Sequence, residues 1–274
     1  MKKKNSEIQK LFNKLSPKSL NQTIIAALND FSLNYDVNLV IDQILDELVS
    51  GKNLNPRNLT SNKIILKEKD GFELSVFYNL PQENQSIKDN VLYSYPTDMY
   101  FCPLTEVKES KIKIYKQNQE LKENILDTDS TLVFDSEEYV IPNQTVFIER
   151  FSDIFELDKS LFFMAYTIFV KEWMLNYSWE YDAKTLAPVR VVLTNLTIGR
   201  LMTSLKIIGI NQYLDSKEIL IKLTNHDEHC IRWEAVRSLI NIDFEEGKKV
   251  LNSMLHDKHP EVRNAAKKSL QIIN

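Results

Sequence analysis

The chain has 274 residues, 43% of them hydrophobic and 26% charged, enough for one large domain or two ordinary ones with a sizeable core. Its net charge is −4; the part from Thr197 onward holds 12 basic and 10 acidic residues, so no basic footprint for nucleic acid is present. Two cysteines, Cys102 and Cys230, exclude a disulfide framework and fit a reducing, cytoplasmic setting.

Lys2 to Lys4 lead into polar sequence rather than the apolar stretch of a signal peptide, and read as a solvated terminus. The first fifty residues have helical spacing. Ile8, Leu11, Phe12 and Leu15 share a face; Ser16-Pro17 predicts the start of a second helix carrying Leu20, Ile24, Ala27, Leu28 and Phe31. Asp36 is placed to cap a third helix, with Gly51 just beyond its end.

From about Asn62 the period becomes alternating. Strands are predicted at 63–67, 72–78, 111–116, 131–134, 139–141, 145–148, 177–181 and 189–193, with Asp70-Gly71 as a hairpin turn. Prolines 81, 96, 103 and 142 mark turns or edges. The window 161–170 has no decisive period; it is about half the ~20 residues a bilayer span needs, and its Phe and Thr content favours strand. This pattern predicts an antiparallel β sandwich or jelly roll over 62–196, following a helical segment at 1–61. In its strand count the region resembles a cupin barrel. Tyr177, Trp179 and Tyr181 alternate in a way that suits either a packed core or the lining of a ligand cavity.

Residues 197–274 repeat. A shift of 31 places Ile231-Arg232 on Val262-Arg263, Ala235 on Ala266, and Ser238-Leu239 on Ser269-Leu270. One helix earlier, Ile219, Leu220 and Leu223 fall on Val250, Leu251 and Met254, while His226-Asp227 and His256-Asp257 match at a shift of 30. This pattern resembles HEAT-like helical repeats, in which hairpins bury their apolar faces by stacking. The resemblance implies an α+β chain ending in α-hairpins, an Asp–Arg ladder between repeats, and another protein as partner. On that implication Arg232→Ala strips a partly buried Asp227 of its partner and costs ~1–3 kcal/mol. The rival reading has Arg232 and Arg263 face an acidic partner, with Trp233, His229 and His259 beside them.

Several chemistries are excluded. The five glycines, at 51, 71, 199, 209 and 247, are never clustered, so neither a P-loop nor a dinucleotide fingerprint is present. No serine lies in a nucleophile elbow, and Cys102, in Tyr-Phe-Cys-Pro, reads as a small buried hydrophobe. All four histidines, 226, 229, 256 and 259, lie in the helical region, so the strands lack histidine ligands. Deoxyhypusine hydroxylase, a HEAT-like enzyme family, binds iron through His-Glu pairs at helix starts. The matching positions here are Trp233-Glu234 and Asn264-Ala265, so that activity does not carry over. The two His-x-x-His pairs are the sharpest metal-like signal. Helices ~8–10 Å apart set them too widely for one ion, so the histidines are expected in exposed loops beside helix-capping Asp227 and Asp257. No cofactor, metal, nucleic acid or membrane is expected. The function read from these residues is a cytoplasmic, non-catalytic adaptor, with a small-molecule-binding, cupin-like β domain or enzyme as the alternative.

Overall fold

A computed structural model describes residues 2–16, 18–49, 62–79, 91–104, 111–117, 121–157 and 162–273; Pro17, Gly51, Pro81 and Leu161 lie outside them. The chain is a mixed α/β protein with antiparallel sheets and C-terminal helices, in two compact units, Met1–Val192 and Leu193–Asn274.

The first unit opens with helices α1 (Lys2–Lys14), α2 (Asn21–Asn34) and α3 (Asn38–Val49). Helix α2 starts later than the serine–proline signal indicates. The Ser16 and Ser19 hydroxyls instead accept backbone N–H groups of Lys18 and Ser16, which closes a turn before the helix. Asp36 serves α3 as expected, its carboxylate accepting the Asn38 N–H at 2.9 Å.

A five-stranded sheet runs β1 (Lys63–Lys69), β2 (Phe72–Asn79), β9 (Phe163–Val170), β4 (Met99–Pro103), β7 (Val146–Ile148). The window at 161–170 is thus strand where described. Asp70 and Gly71 both have positive φ, 51° and 80°, the backbone that a two-residue turn between β1 and β2 requires. One face of this sheet, with Phe72, Leu74, Val76, Tyr100, Cys102, Tyr166 and Ile168, is covered by Leu11, Phe12, Leu28 and Phe31 of α1 and α2. The helices are therefore part of the β unit's core. Tyr166 donates to the Tyr35 carbonyl at 2.9 Å, and Tyr100 to Asn21 at 2.8 Å.

The opposite face, with Met99, Phe101, Phe163 and Ala165, packs on Ile112 and Ile114 of β5 (Lys111–Lys116). That strand lies between β6 (Val133–Tyr139) and β8 (Asp153–Glu156) in a second sheet. A third sheet orders β11 (Pro188–Leu193), β10 (Tyr177–Asp182) and β3 (Val91–Tyr93), and its Trp179 and Tyr181 meet Tyr115 and Ile154 of the second.

The second unit contains α4 (Leu196–Ile210), α5 (Lys217–Leu223), α6 (His229–Ile242), α7 (Phe244–Ser253) and α8 (Pro260–Ile273). Asn195 caps α4, accepting the N–H groups of Thr197 and Ile198. Some positions equivalent at the 31-residue shift are buried alike, Ile231 with Val262 and Ala235 with the fully buried Ala266, whereas Arg232 and Ser238 are buried and Arg263 and Ser269 only partly so. Ala266→Leu is expected to overpack the cluster of Val236, Leu251, Met254 and Leu270 and cost about 1–3 kcal/mol. An unchanged denaturation midpoint would show that the site accommodates the larger side chain. A harsher contact lies at Gly247, where an added Cβ would come within 2.6 Å of the Ile240 Cα, a backbone atom that cannot swing away. Gly247→Ala should therefore destabilise the unit by about 3 kcal/mol despite the better helix propensity of alanine. A melting point at or above wild type would contradict this close approach of α7 and α6.

Candidate functional site

Among the described residues, a gathering of chemically capable side chains lies where α6 and α8 begin. Arg232, only 4% exposed, makes a two-pronged contact with Asp257: Nε donates to one carboxylate oxygen at 2.7 Å and Nη2 to the other at 2.6 Å. Nη1 donates to the carbonyls of His226 and Asp227, so one guanidinium ties its own loop to the next hairpin. Arg263 donates to the Asp257 carbonyl at 2.7 Å.

The partner of Arg232 is Asp257, from the following hairpin, and not Asp227, whose carboxylate is fully exposed and lies 3.9 Å from Lys258. Asp227 caps nothing. In its loop the Glu228 N–H donates to the His226 imidazole, while Asp257 accepts the His259 N–H at 2.7 Å. Burial works to raise the Asp257 pKa, but Arg232 and the His259 N–H outweigh it and hold it below the usual carboxylate range.

Histidine spacing is also different from expectation. His229 and His259 stack with ring centroids 3.7 Å apart and planes 5° apart, and His259 is 5% exposed rather than a loop residue in solvent. Helix axes are ~8–10 Å apart, yet His229 opens α6, His259 immediately precedes α8, and their imidazoles meet face to face, so the side chains close the gap. Burial, then the His259 ring, pushes the His229 pKa down to about 4. Glu261, exposed in the first turn of α8, completes a trio with His229 and His259 whose ligand atoms lie within 4.8 Å of one another. Sequence reading missed Glu261. The available signal was that His229 and His259 match at the loop shift of 30, with a carboxylate two residues further on. Trp233 is partly buried against the cluster of Leu251, Val262 and Ala266.

In the β unit, Tyr177, Trp179 and Tyr181 are all buried, at 4%, 0% and 0% exposure. Trp179 donates to the Glu123 carbonyl at 2.8 Å and lies edge-on to Phe151; Tyr181 donates to the Gln117 side chain. Trp179 and Tyr181 form a packed cluster with Leu92, Leu132 and Ile154. Beside them, two polar atoms lie buried without a hydrogen-bond partner: Gln117 Nε2 and Ser152 Oγ. The two residues are adjacent, since the Gln117 N–H donates to the Ser152 carbonyl at 2.9 Å.

A second buried polar group lies on the first sheet. Glu73, 1% exposed, is held by Lys63 and Lys171 at 2.5 Å each, near a Ser75–Thr167 hydrogen bond of 2.9 Å. Burial acts to raise its pKa, but hydrogen bonds from Lys171 and Lys63 prevail and lower it. Cys102 is fully buried, and burial pushes its thiol pKa up, which suits packing rather than nucleophilic attack. Among the described residues no helix is long and apolar enough to cross a membrane.

No protein-family model matches the chain, and no curated protein sequence matches it. Solved structures similar to part of it include a cupin superfamily protein from Desulfitobacterium hafniense, at 14% identity and TM-score 0.24, covering 40% of this chain and 76% of that one. A DMSP lyase from Ruegeria pomeroyi is 11% identical at TM-score 0.25, covering 46% of this chain and 44% of its own. Hazelnut (Corylus avellana) vicilin is 10% identical at TM-score 0.23, covering 46% and 33%. The last two are thus matched over less than half their length, and at such TM-scores none of the three lends this chain an activity.

Proposed function

We propose that this chain is a cytoplasmic, non-catalytic adaptor that engages another protein through C-terminal hairpins of the HEAT-like kind. One observation carries the reading. Between Ile207 and Ile219 the second unit exposes a concentration of large apolar side chains: Ile207 at 55%, Ile210 at 75%, Tyr213 at 57%, Leu214 at 69% and Ile219 at 48%. Single exposed apolar residues are ordinary, but such a run at the end of α4 and start of α5 suits an apolar partner face such as an amphipathic helix. The β unit, with Trp179 and Tyr181 inside a packed cluster, then serves as a rigid body. The test is affinity purification from the native host with mass spectrometry, comparing wild type with the Ile210→Lys, Leu214→Lys double variant. Both positions are exposed, so stability should move by no more than about 0.5 kcal/mol. A stoichiometric partner should be present with wild type and lost with the variant; identical sets would refute the reading.

A second reading rests on Gln117 and Ser152. Buried polar atoms without partners cost about 1–3 kcal/mol each, so a pair of them marks a place where a small polar ligand or an ordered water belongs. On this reading the β unit is a cupin-like small-molecule binder. A thermal-shift screen of polar metabolites against wild type and Ser152→Ala would separate the cases. A ligand stabilises only the wild type, whereas with water alone Ser152→Ala is neutral or slightly more stable.

A further inference from the structure

We infer that His229, His259 and Glu261 form a binding site for one divalent transition-metal ion of the zinc type, bridging the starts of α6 and α8. The argument is independent of the adaptor reading. Two imidazoles and a carboxylate from neighbouring hairpins place their ligand atoms within 4.8 Å of one another. A tetrahedral ion with bonds of ~2.0–2.1 Å sets its ligands about 3.3 Å apart, so the three need only draw together by about 1.5 Å. Two nitrogens and one oxygen make a borderline donor set that suits zinc and its neighbours, and does not suit magnesium or calcium, which take oxygen ligands.

The stacked rings define what binding must change. An imidazole lone pair lies in the ring plane, and planes 5° apart aim their lone pairs in parallel rather than at a common point. At least one ring must tilt out of the stack, a soft rotation about χ2. The surroundings allow a positive ion. The buried cation Arg232 is neutralised by both oxygens of Asp257, and the exposed Glu261 adds a carboxylate. The backbone of His259 is fixed by its N–H to Asp257 and by the Arg263 N–H donated to its carbonyl at 3.2 Å. Three protein ligands leave a fourth position for water, and the ion clasps one hairpin to the next.

The test uses the untagged full-length protein, stripped with a chelator and titrated with Zn2+ by calorimetry and Co2+ by visible absorption. One equivalent should bind, with cobalt d–d bands of low coordination number and a higher melting point, while Mg2+ and Ca2+ have no effect. Glu261→Gln, at an exposed position, should fold normally and weaken binding about tenfold or more; His229→Ala should abolish it. His226→Ala and His256→Ala should bind as wild type. Absence of one-equivalent uptake, an affinity unchanged by Glu261→Gln, or uptake that depends on His226 or His256 instead would each overturn the site.

Discussion

Arg232→Ala is expected to cost the C-terminal unit about 3–5 kcal/mol, the range for removing one member of a buried ion pair. The loss arises mainly from what remains. Asp257, with its side chain 5% exposed, would keep a carboxylate stripped of both guanidinium contacts. The carbonyls of His226 and Asp227 would lose the same donor. Arg232→Lys should recover little, because an ammonium cannot reach two carboxylate oxygens and two carbonyls from one planar fork. Denaturation monitored by hydrogen exchange, which reads the helices of the second unit directly, would measure the effect. A double-mutant cycle with Asp257→Asn should show strong coupling, and one with Asp227→Asn none. Unchanged stability with loss of a partner would instead mean that the arginine serves binding.

Of the implied ladder one rung forms, Arg232 to Asp257, and that such a rung exists was legible in sequence because equivalent Asp and Arg positions recur with the period; Arg263 reaches only the Asp257 carbonyl. Which Asp pairs with Arg232 was not legible, since Asp227 is near in sequence and Asp257 only in space. The β region shows the same division. β2 alternates and was readable, whereas β4, Met-Tyr-Phe-Cys-Pro, is buried on both faces and has no alternation to read. β8, four residues beginning with a buried Asp153 paired to Lys116, looks like a turn until β5 is seen beside it. The role of α1 and α2 as a cover for the first sheet was likewise absent from periodicity, which reports an apolar face but not what it meets. For the candidate site, the histidines were visible and their approach was not. Helix spacing sets where backbones lie, while ring contact depends on both side chains pointing into the same gap.

Glu73→Gln should lower stability at neutral pH by about 3 kcal/mol and leave it nearly unchanged in acid. The carboxylate is 1% exposed and serves two ammonium groups, Lys63 and Lys171, with side chains 25% and 40% exposed. Its pKa in the fold lies below the ordinary value of 4.5 because the two lysines outweigh the penalty of burial. The sign then follows from linkage. A carboxyl with a lowered folded pKa contributes its full stabilisation above its unfolded pKa, and loses it as pH falls through the folded value. Wild type should therefore weaken progressively below about pH 4.5, and the Gln variant, with nothing to protonate there, should lack that part of the acid limb. Glutamine keeps the shape and can still accept a hydrogen bond, so the difference between the proteins isolates the charge. Lys171 retains Glu68 in the variant, and the Lys63 ammonium retains its place 4.8 Å from the Phe169 ring centroid. Urea denaturation of both proteins at a series of pH values from 7 downward through the acid limb would decide the matter. A loss of equal size at every pH would mean that packing, and not the charge of Glu73, holds β2 between its neighbours.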